Sequence, residues 1–188
     1  MLHPYRKKSL DRARECKEEG NELFRECKYR EAIEKYAEAL LWCPKKETEY
    51  CATFHNNKAM AHIKNGEMDD AIYETTEVLK IEPANLKALL RRSMAYENAK
   101  RYDDAIADWN SIASLHPNTH ADQASHSIRR LEKIREESVE EMKTEVLSNL
   151  RTVADKVLGT FGMSVDQFKF IKDPKTGSYS ISYGADPK

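Results

Sequence analysis

Five polar residues are spaced so that they could hold a pair of carboxylates. Lys17 and Asn21 lie four apart, Lys87 and Arg91 lie four apart again, and Asn57 falls between the two pairs. Residues four apart on a helix project to the same side, so each pair would present its polar heads together. The set holds three cations, two amides and no carboxylate. Ammonium and guanidinium groups bind carboxylates through charge-assisted hydrogen bonds, and amides fix the orientation of what is bound. A free peptide C-terminus ending in Asp has the matching shape. Catalysis is the poorer reading. The chain has no phosphate-binding glycine loop, no Ser or Cys nucleophile with an evident His partner and no metal-ligand spacing, so nucleophile, base and stabilising donors do not occur together. No metal or cofactor is expected.

The elements that would position these side chains follow from a repeat. Tyr29-Arg-Glu-Ala-Ile33 aligns with Met68-Asp-Asp-Ala-Ile72 and with Tyr102-Asp-Asp-Ala-Ile106, and Pro44, Pro83 or Pro117 follows twelve residues after each alanine. The alanines, Ala32, Ala71 and Ala105, are 39 and then 34 residues apart. A period of about 34 with small residues at fixed positions and a closing proline is the tetratricopeptide pattern, in which each repeat is one antiparallel helix pair. The expected fold is all-α, a solenoid of three repeats at 13–46, 52–85 and 86–119 with its groove lined by the first helix of each, preceded by an arm at 1–12. Five extra residues, Glu47 to Cys51, lengthen a helix end or loop between the first two repeats. Gly20, Ala59 and Ser93 supply small side chains where helices approach. Tyr36, Ile33, Ile72, Ile106, Leu40, Leu79 and Trp109 follow the helical period and read as core.

With the repeats in view, three stretches resemble the dicarboxylate clamp of tetratricopeptide co-chaperones: Lys17-Glu-Glu-Gly-Asn21-Glu-Leu-Phe24, His55-Asn-Asn57-Lys58-Ala59 and Lys87-Ala-Leu-Leu-Arg91-Arg92. The resemblance implies that the groove binds the acidic C-terminal tails, ending Glu-Glu-Val-Asp, of the 90-kDa and 70-kDa heat-shock chaperones. By that resemblance Lys17, Asn21 and Asn57 hold the terminal carboxylate, Lys87 and Arg91 meet the Asp side chain and the peptide nearby, and Lys64 adds a contact to an upstream glutamate. Cys16 and His55 stand where the repeat pattern commonly has an aromatic or Leu, and His62 where it has Tyr; these departures bear on packing and leave the five clamp positions intact.

A stack of repeats needs an end cap, and residues 121–158 are expected to supply it as a helix. Ile128, Leu131, Ile134, Met142, Val146, Leu150, Val153 and Val157 recur mostly three and four apart, with charged residues opposite. The first turns should pack on the third repeat; the later ones fold back or offer an apolar stripe to a partner. Residues 159–188 form a tail in which Phe168-Lys-Phe170 and Tyr179-Ser-Ile181-Ser-Tyr183 alternate around Asp173-Pro-Lys-Thr-Gly177, the pattern of a hairpin or of an irregular segment. Val157-Leu-x-x-Phe161-Gly-Met-Ser164 and Thr176-Gly-Ser-Tyr-Ser-Ile181 resemble the C-terminal region of three-repeat adaptors in the same family. That resemblance also permits a signalling role, in which a G-protein subunit or small GTPase engages the C-terminal helix and tail. Adaptors of this type carry an acidic, low-complexity N-terminal region that this sequence does not contain.

Composition narrows the partners. Charged residues make up 34% of the chain but sum to a net charge of only −1, which gives no overall attraction for nucleic acid or an anionic membrane. No stretch of about 18 apolar residues and no signal-peptide core occurs, so a cytoplasmic protein without a membrane span is expected. Cys16, Cys27, Cys43 and Cys51 include no Cys-x-x-Cys pair and read as reduced small hydrophobes rather than a disulfide or zinc framework. His116 and His120 are four apart, but Pro117 between them marks the turn closing repeat three.

Overall fold

The computed structural model describes residues 8–172 and 179–184. Three antiparallel helix pairs follow one another: α1 (Leu10–Arg25) with α2 (Tyr29–Trp42), α3 (Thr48–Asn65) with α4 (Met68–Ile81), and α5 (Leu86–Asn98) with α6 (Tyr102–Leu115). Local chemistry sets their ends. The Ser9 hydroxyl accepts a hydrogen bond from the Arg12 amide at 3.4 Å to open α1, and the Asn85 side chain accepts from the Ala88 amide at 2.9 Å to open α5. A side-chain N-cap of this kind is worth about 1 kcal/mol. The first helix of each pair closes through a left-handed residue: Cys27 at φ 60°, Gly66 at φ 83° and Lys100 at φ 59°. These share the spacing of the repeat alanines, and only the second repeat uses the glycine that adopts this conformation without steric cost. The insert Glu47–Cys51 becomes mostly helix, since α3 begins at Thr48.

Each seam between helices has its own buried cluster. Ala13, Cys16, Ala39, Cys43 and Phe54 join α1, α2 and α3; Ala52, Val78 and Ala88 join α3, α4 and α5; Leu89, Ala105, Trp109 and Ile112 join α5 and α6 to the next helix through Ala124 and Leu131. The small residues expected at close approaches are all buried, and Gly20 shows why one of them has no side chain. A Cβ there would stand 2.7 Å from the buried Tyr36 ring. Ile33, Ile72, Ile106, Leu40 and Leu79 are only half-buried, packed against these clusters rather than within them.

One ion pair recurs inside every helix pair. Lys58 Nζ meets Glu74 Oε1 at 2.7 Å, and His55 Nδ1 meets the other oxygen of the same carboxylate at 2.6 Å. Thirty-four residues further along, Arg92 grips Asp108 with two hydrogen bonds, 2.9 Å from Nε and 2.6 Å from Nη2. Thirty-nine residues earlier the charges are exchanged: Glu19 is on the first helix and Lys35 on the second, 2.5 Å apart. Glu74 and Asp108 are buried, whereas the Glu19–Lys35 pair is partly open to water.

The seventh helix, α7, spans Pro117–Gly159. It starts four residues before the expected cap, and the turn closing repeat three is confined to the bend at His116, with Pro117 already the first residue of the helix. Proline is accepted at the first helical position because its missing N–H would have no partner there. His116 faces the Ala84 carbonyl at 3.1 Å and His120 the Thr119 hydroxyl at 2.7 Å. Compact packing divides the chain into residues 1–134 and 135–188. In the first, Ala124, Ser127 and Leu131 of α7 are buried. In the second, Val139, Met142, Val146, Leu150, Val153 and Val157 stay exposed, and a 3₁₀ turn at Val165–Gln167 leads into an antiparallel hairpin. Its strands are β1 (Phe168–Lys172) and β2 (Tyr179–Tyr183), paired Phe168 with Tyr183 and Lys172 with Tyr179. The expected turn at 173–177 lies outside the described residues.

Candidate peptide-binding groove

The first helices bring five of the six candidate residues into one neighbourhood. Lys17 and Asn21 are one turn apart on α1, Asn57 lies on α3, and Lys87 and Arg91 are one turn apart on α5. The Asn57 amide donates to Asn21 Oδ1 at 3.3 Å, linking the first repeat to the second. Asn57, Lys87 and Arg91 then line a single pocket of about 150 Å³ together with Ala52, Thr53, Asn56, Glu82 and Asn85. Lys64 stands apart from that pocket, exposed two turns beyond Asn57 on α3.

Neighbouring groups hold the amides in a definite orientation. Asn21 Oδ1 also accepts from the Tyr36 hydroxyl at 2.8 Å, so the amide oxygen is committed and its Nδ2 donors point elsewhere. One of them donates to Glu18 at 3.0 Å. Burial pushes the Tyr36 hydroxyl up to about 12, which keeps it a donor at neutral pH. Tyr36 therefore does more than fill the core, as its period alone suggested: it sets the Asn21 amide.

Arg91 and Arg92 are adjacent in sequence and opposite in circumstance. Arg92 is fully engaged by Asp108. Arg91 Nη1 donates to the Asn56 backbone carbonyl at 2.6 Å, and among the described residues no carboxylate pairs with it. Burial lowers its pKa, as expected for a cation removed from water without an anion beside it. Lys87 at the same pocket is exposed and likewise makes no ion pair among the described residues.

Two carboxylates at the groove did not emerge from the sequence reading. Glu18 contacts Lys17 Nζ as well as Asn21, and its pKa is lowered by the hydrogen bond from Lys17 first and from Asn21 second. Glu82, in the pocket, accepts from Asn85 at 2.5 Å. The Glu18 contact could have been found by noting that it lies next to Lys17 and three residues before Asn21. One further cluster, His62, Glu67 and Asp70, has ligand atoms within 4.8 Å of one another. There His62 Nδ1 and Glu67 are hydrogen bonded at 2.6 Å, and Asn65 donates to the same carboxylate at 2.7 Å, which closes the α3–α4 turn.

Comparison with known proteins agrees with this architecture. The tetratricopeptide repeat family model matches residues 87–119. Among solved structures, the myosin chaperone UNC-45 of C. elegans, in complex with a Hsp90 peptide, superposes with a TM-score of 0.62 at 29% identity, covering 77% of this chain and 16% of that one. The fold is a tetratricopeptide-repeat solenoid. The second such domain of human RPAP3, in complex with the HSP70 peptide SGPTIEEVD, gives a TM-score of 0.56 at 26% identity over 64% of this chain and 95% of that domain. In sequence, sperm-associated antigen 1A of Danio rerio is 34% identical over 122 residues, 63% of this chain. The match spans about 28% of that relative's length. No helix among the described residues is long and apolar enough to cross a membrane.

Proposed function

We propose that the solenoid is a non-catalytic binding module, a co-chaperone or adaptor, whose groove grips the free acidic C-terminus of a 90-kDa or 70-kDa heat-shock chaperone ending Glu-Glu-Val-Asp. Lys17, Asn21 and Asn57 receive the terminal carboxylate, Lys87 and Arg91 receive the Asp side chain and adjoining peptide, and Lys64 reaches an upstream glutamate. The observation that carries this reading is Arg91, a largely buried guanidinium that shares a pocket with Lys87 and Asn57 and has no carboxylate partner among the described residues. A ligand carboxylate supplies the anion that burial has left missing, and bonds of this charge-assisted kind are the strong ones. The Hsp90 peptide and the HSP70 peptide carried by the two similar solved structures favour the same ligand class.

The motifs from Val157 to Ile181 further support a relation to tetratricopeptide repeat protein 1, and a cytoplasmic location fits a chaperone-tail ligand. The G-protein reading rests on that sequence resemblance alone.

The test is a titration of the full chain with a Glu-Glu-Val-Asp peptide in free and C-terminally amidated forms. One charged hydrogen bond is worth about 1.5–3 kcal/mol, so amidation is expected to weaken binding at least roughly tenfold. Equal affinity for the two forms would sink the clamp reading.

A further inference from the structure

We propose that Cys43 and Cys51 are a paired thiol site that closes to a disulfide by exchange with a small-molecule disulfide of the glutathione class. Cys43 caps the C-terminus of α2 and Cys51 lies in the first turns of α3, with only residues 44–50 between them. Their sulfurs are 2.9 Å apart, about 1 Å more than the bonded distance of ~2.05 Å, so closure asks the two sulfurs to approach by about 1 Å. Cys27 is exposed; Cys16 is buried in the same cluster as Cys43, with Cys51 packed against it, and the short sulfur contact is the one between Cys43 and Cys51.

The two thiols divide the work by their surroundings. Cys43 is buried, and its thiol lies 3.7 Å from both the Pro44 and Glu47 carbonyls. Burial first, and the contact with Cys51 second, push it up to about 12, which keeps it protonated and slow to react first. Cys51 is half-exposed and meets the oxidant. Its thiolate attacks one sulfur of the small disulfide, forming a mixed disulfide and expelling one small thiolate. Cys43 then loses its proton to solvent and attacks the Cys51 sulfur, expelling the second small thiolate. The protein gives up two electrons and two protons, and the small disulfide becomes two thiols. The bond ties the end of the first repeat to the last residue of the five-residue insert, immediately before Ala52 and Thr53 of the groove pocket.

The experiment is disulfide mapping of the full chain after equilibration with oxidised glutathione and alkylation of the remaining thiols. Trypsin cuts after Lys45 and Lys46, between the two cysteines, so the Cys43 and Cys51 peptides travel together only if bonded. The expected result is that linked pair, with Cys16 alkylated, together with a higher melting temperature that reductant reverses. Cys51→Ser, checked for native helicity, should lose both the link and the reductant-sensitive melting shift. A stable glutathione adduct on Cys51 that never resolves to Cys43 would overturn the proposal. So would oxidation confined to Cys27, or a wild-type map with both thiols alkylated. Because wild-type mapping alone decides the bond, a poorly folding variant does not rescue it.

Discussion

At the scale of single residues, two of the proposed clamp residues already engage a carboxylate of this chain. Glu18 takes up Lys17 Nζ and an Asn21 donor, so a peptide bound as proposed would displace it. Glu18 is exposed and Lys17 half-buried, and such surface contacts contribute between nothing and about 1 kcal/mol to stability. Its influence on binding is larger, because displacement returns part of one charged hydrogen bond and leaves a negative charge beside the ligand. Glu18→Gln is therefore expected to tighten peptide binding by roughly three- to tenfold with little change in melting temperature, since Gln and Glu have similar helix propensity. Calorimetric titration checks it. Weaker binding by a folded variant would mean that Glu18 orients Asn21 and Lys17 for the ligand instead of occupying them. The sequence singled out Arg91 for the clamp, but it did not show that Arg91 lacks a carboxylate among the described residues, that Arg92 is held by Asp108 or that Glu18 occupies Lys17. Which neighbours consume a donor and which leave it vacant depends on the seam between helices, and that is a fact of three-dimensional packing.

At the scale of helix pairs, the ion pair at equivalent repeat positions makes a controlled comparison. Asp108 is buried against Arg92, and removing one member of such a pair strands the other charge out of water at a cost of about 3–5 kcal/mol. Lys35 and Glu19 occupy the same repeat position with reversed charge and remain partly solvated, where a pair contributes about 1 kcal/mol or less. Asp108→Ala should thus lower stability far more than Lys35→Ala, as read by urea unfolding of the two variants. Similar losses would show that the buried pair is dispensable packing.

Glu74 adds a pH dependence to the same set. Burial would raise its pKa, but hydrogen bonds from His55 and Lys58 outweigh that and hold it below 4.5. A depressed folded-state pKa means stability that is fully present above pH 4.5 and lost as pH falls through the lower folded value. Glu74→Gln should flatten this acid loss while lowering stability at neutral pH, a pattern that melting curves across the acid range would reveal. These pairs were open to the same alignment that exposed Ala32, Ala71 and Ala105, as were the left-handed residues Cys27, Gly66 and Lys100. Small-residue periodicity is a strong signal because only small residues fit a close approach. A charge that swaps sides between repeats has no fixed residue type to follow, and neither has a backbone conformation filled by Cys, Gly and Lys in turn.

At the scale of the whole molecule, the two parts of α7 answer to different physics, and two truncations separate them. All six candidate ligand-binding residues, and the α7 side chains that seal the third repeat, belong to residues 1–134. A chain ending after Ile134 keeps Ala124, Ile128 and Leu131 against Trp109 and Ile112, and it sheds the exposed stripe from Val139 to Val157. Its melting temperature and its peptide affinity should both stay near those of the full chain. A chain ending at His120 also loses Leu131, which is fully buried, and Ile128 beside it. Emptying one large buried site of this kind costs about 2–5 kcal/mol, a sizeable part of the 5–15 kcal/mol that holds a domain folded. The shorter truncation should therefore melt well below the other and lose peptide binding as the α5–α6 seam loosens around Lys87 and Arg91. Circular-dichroism melts and peptide titrations on the two chains decide the outcome. If the longer truncation also loses affinity, the groove depends on residues 135–188 and the tail is part of the binding module.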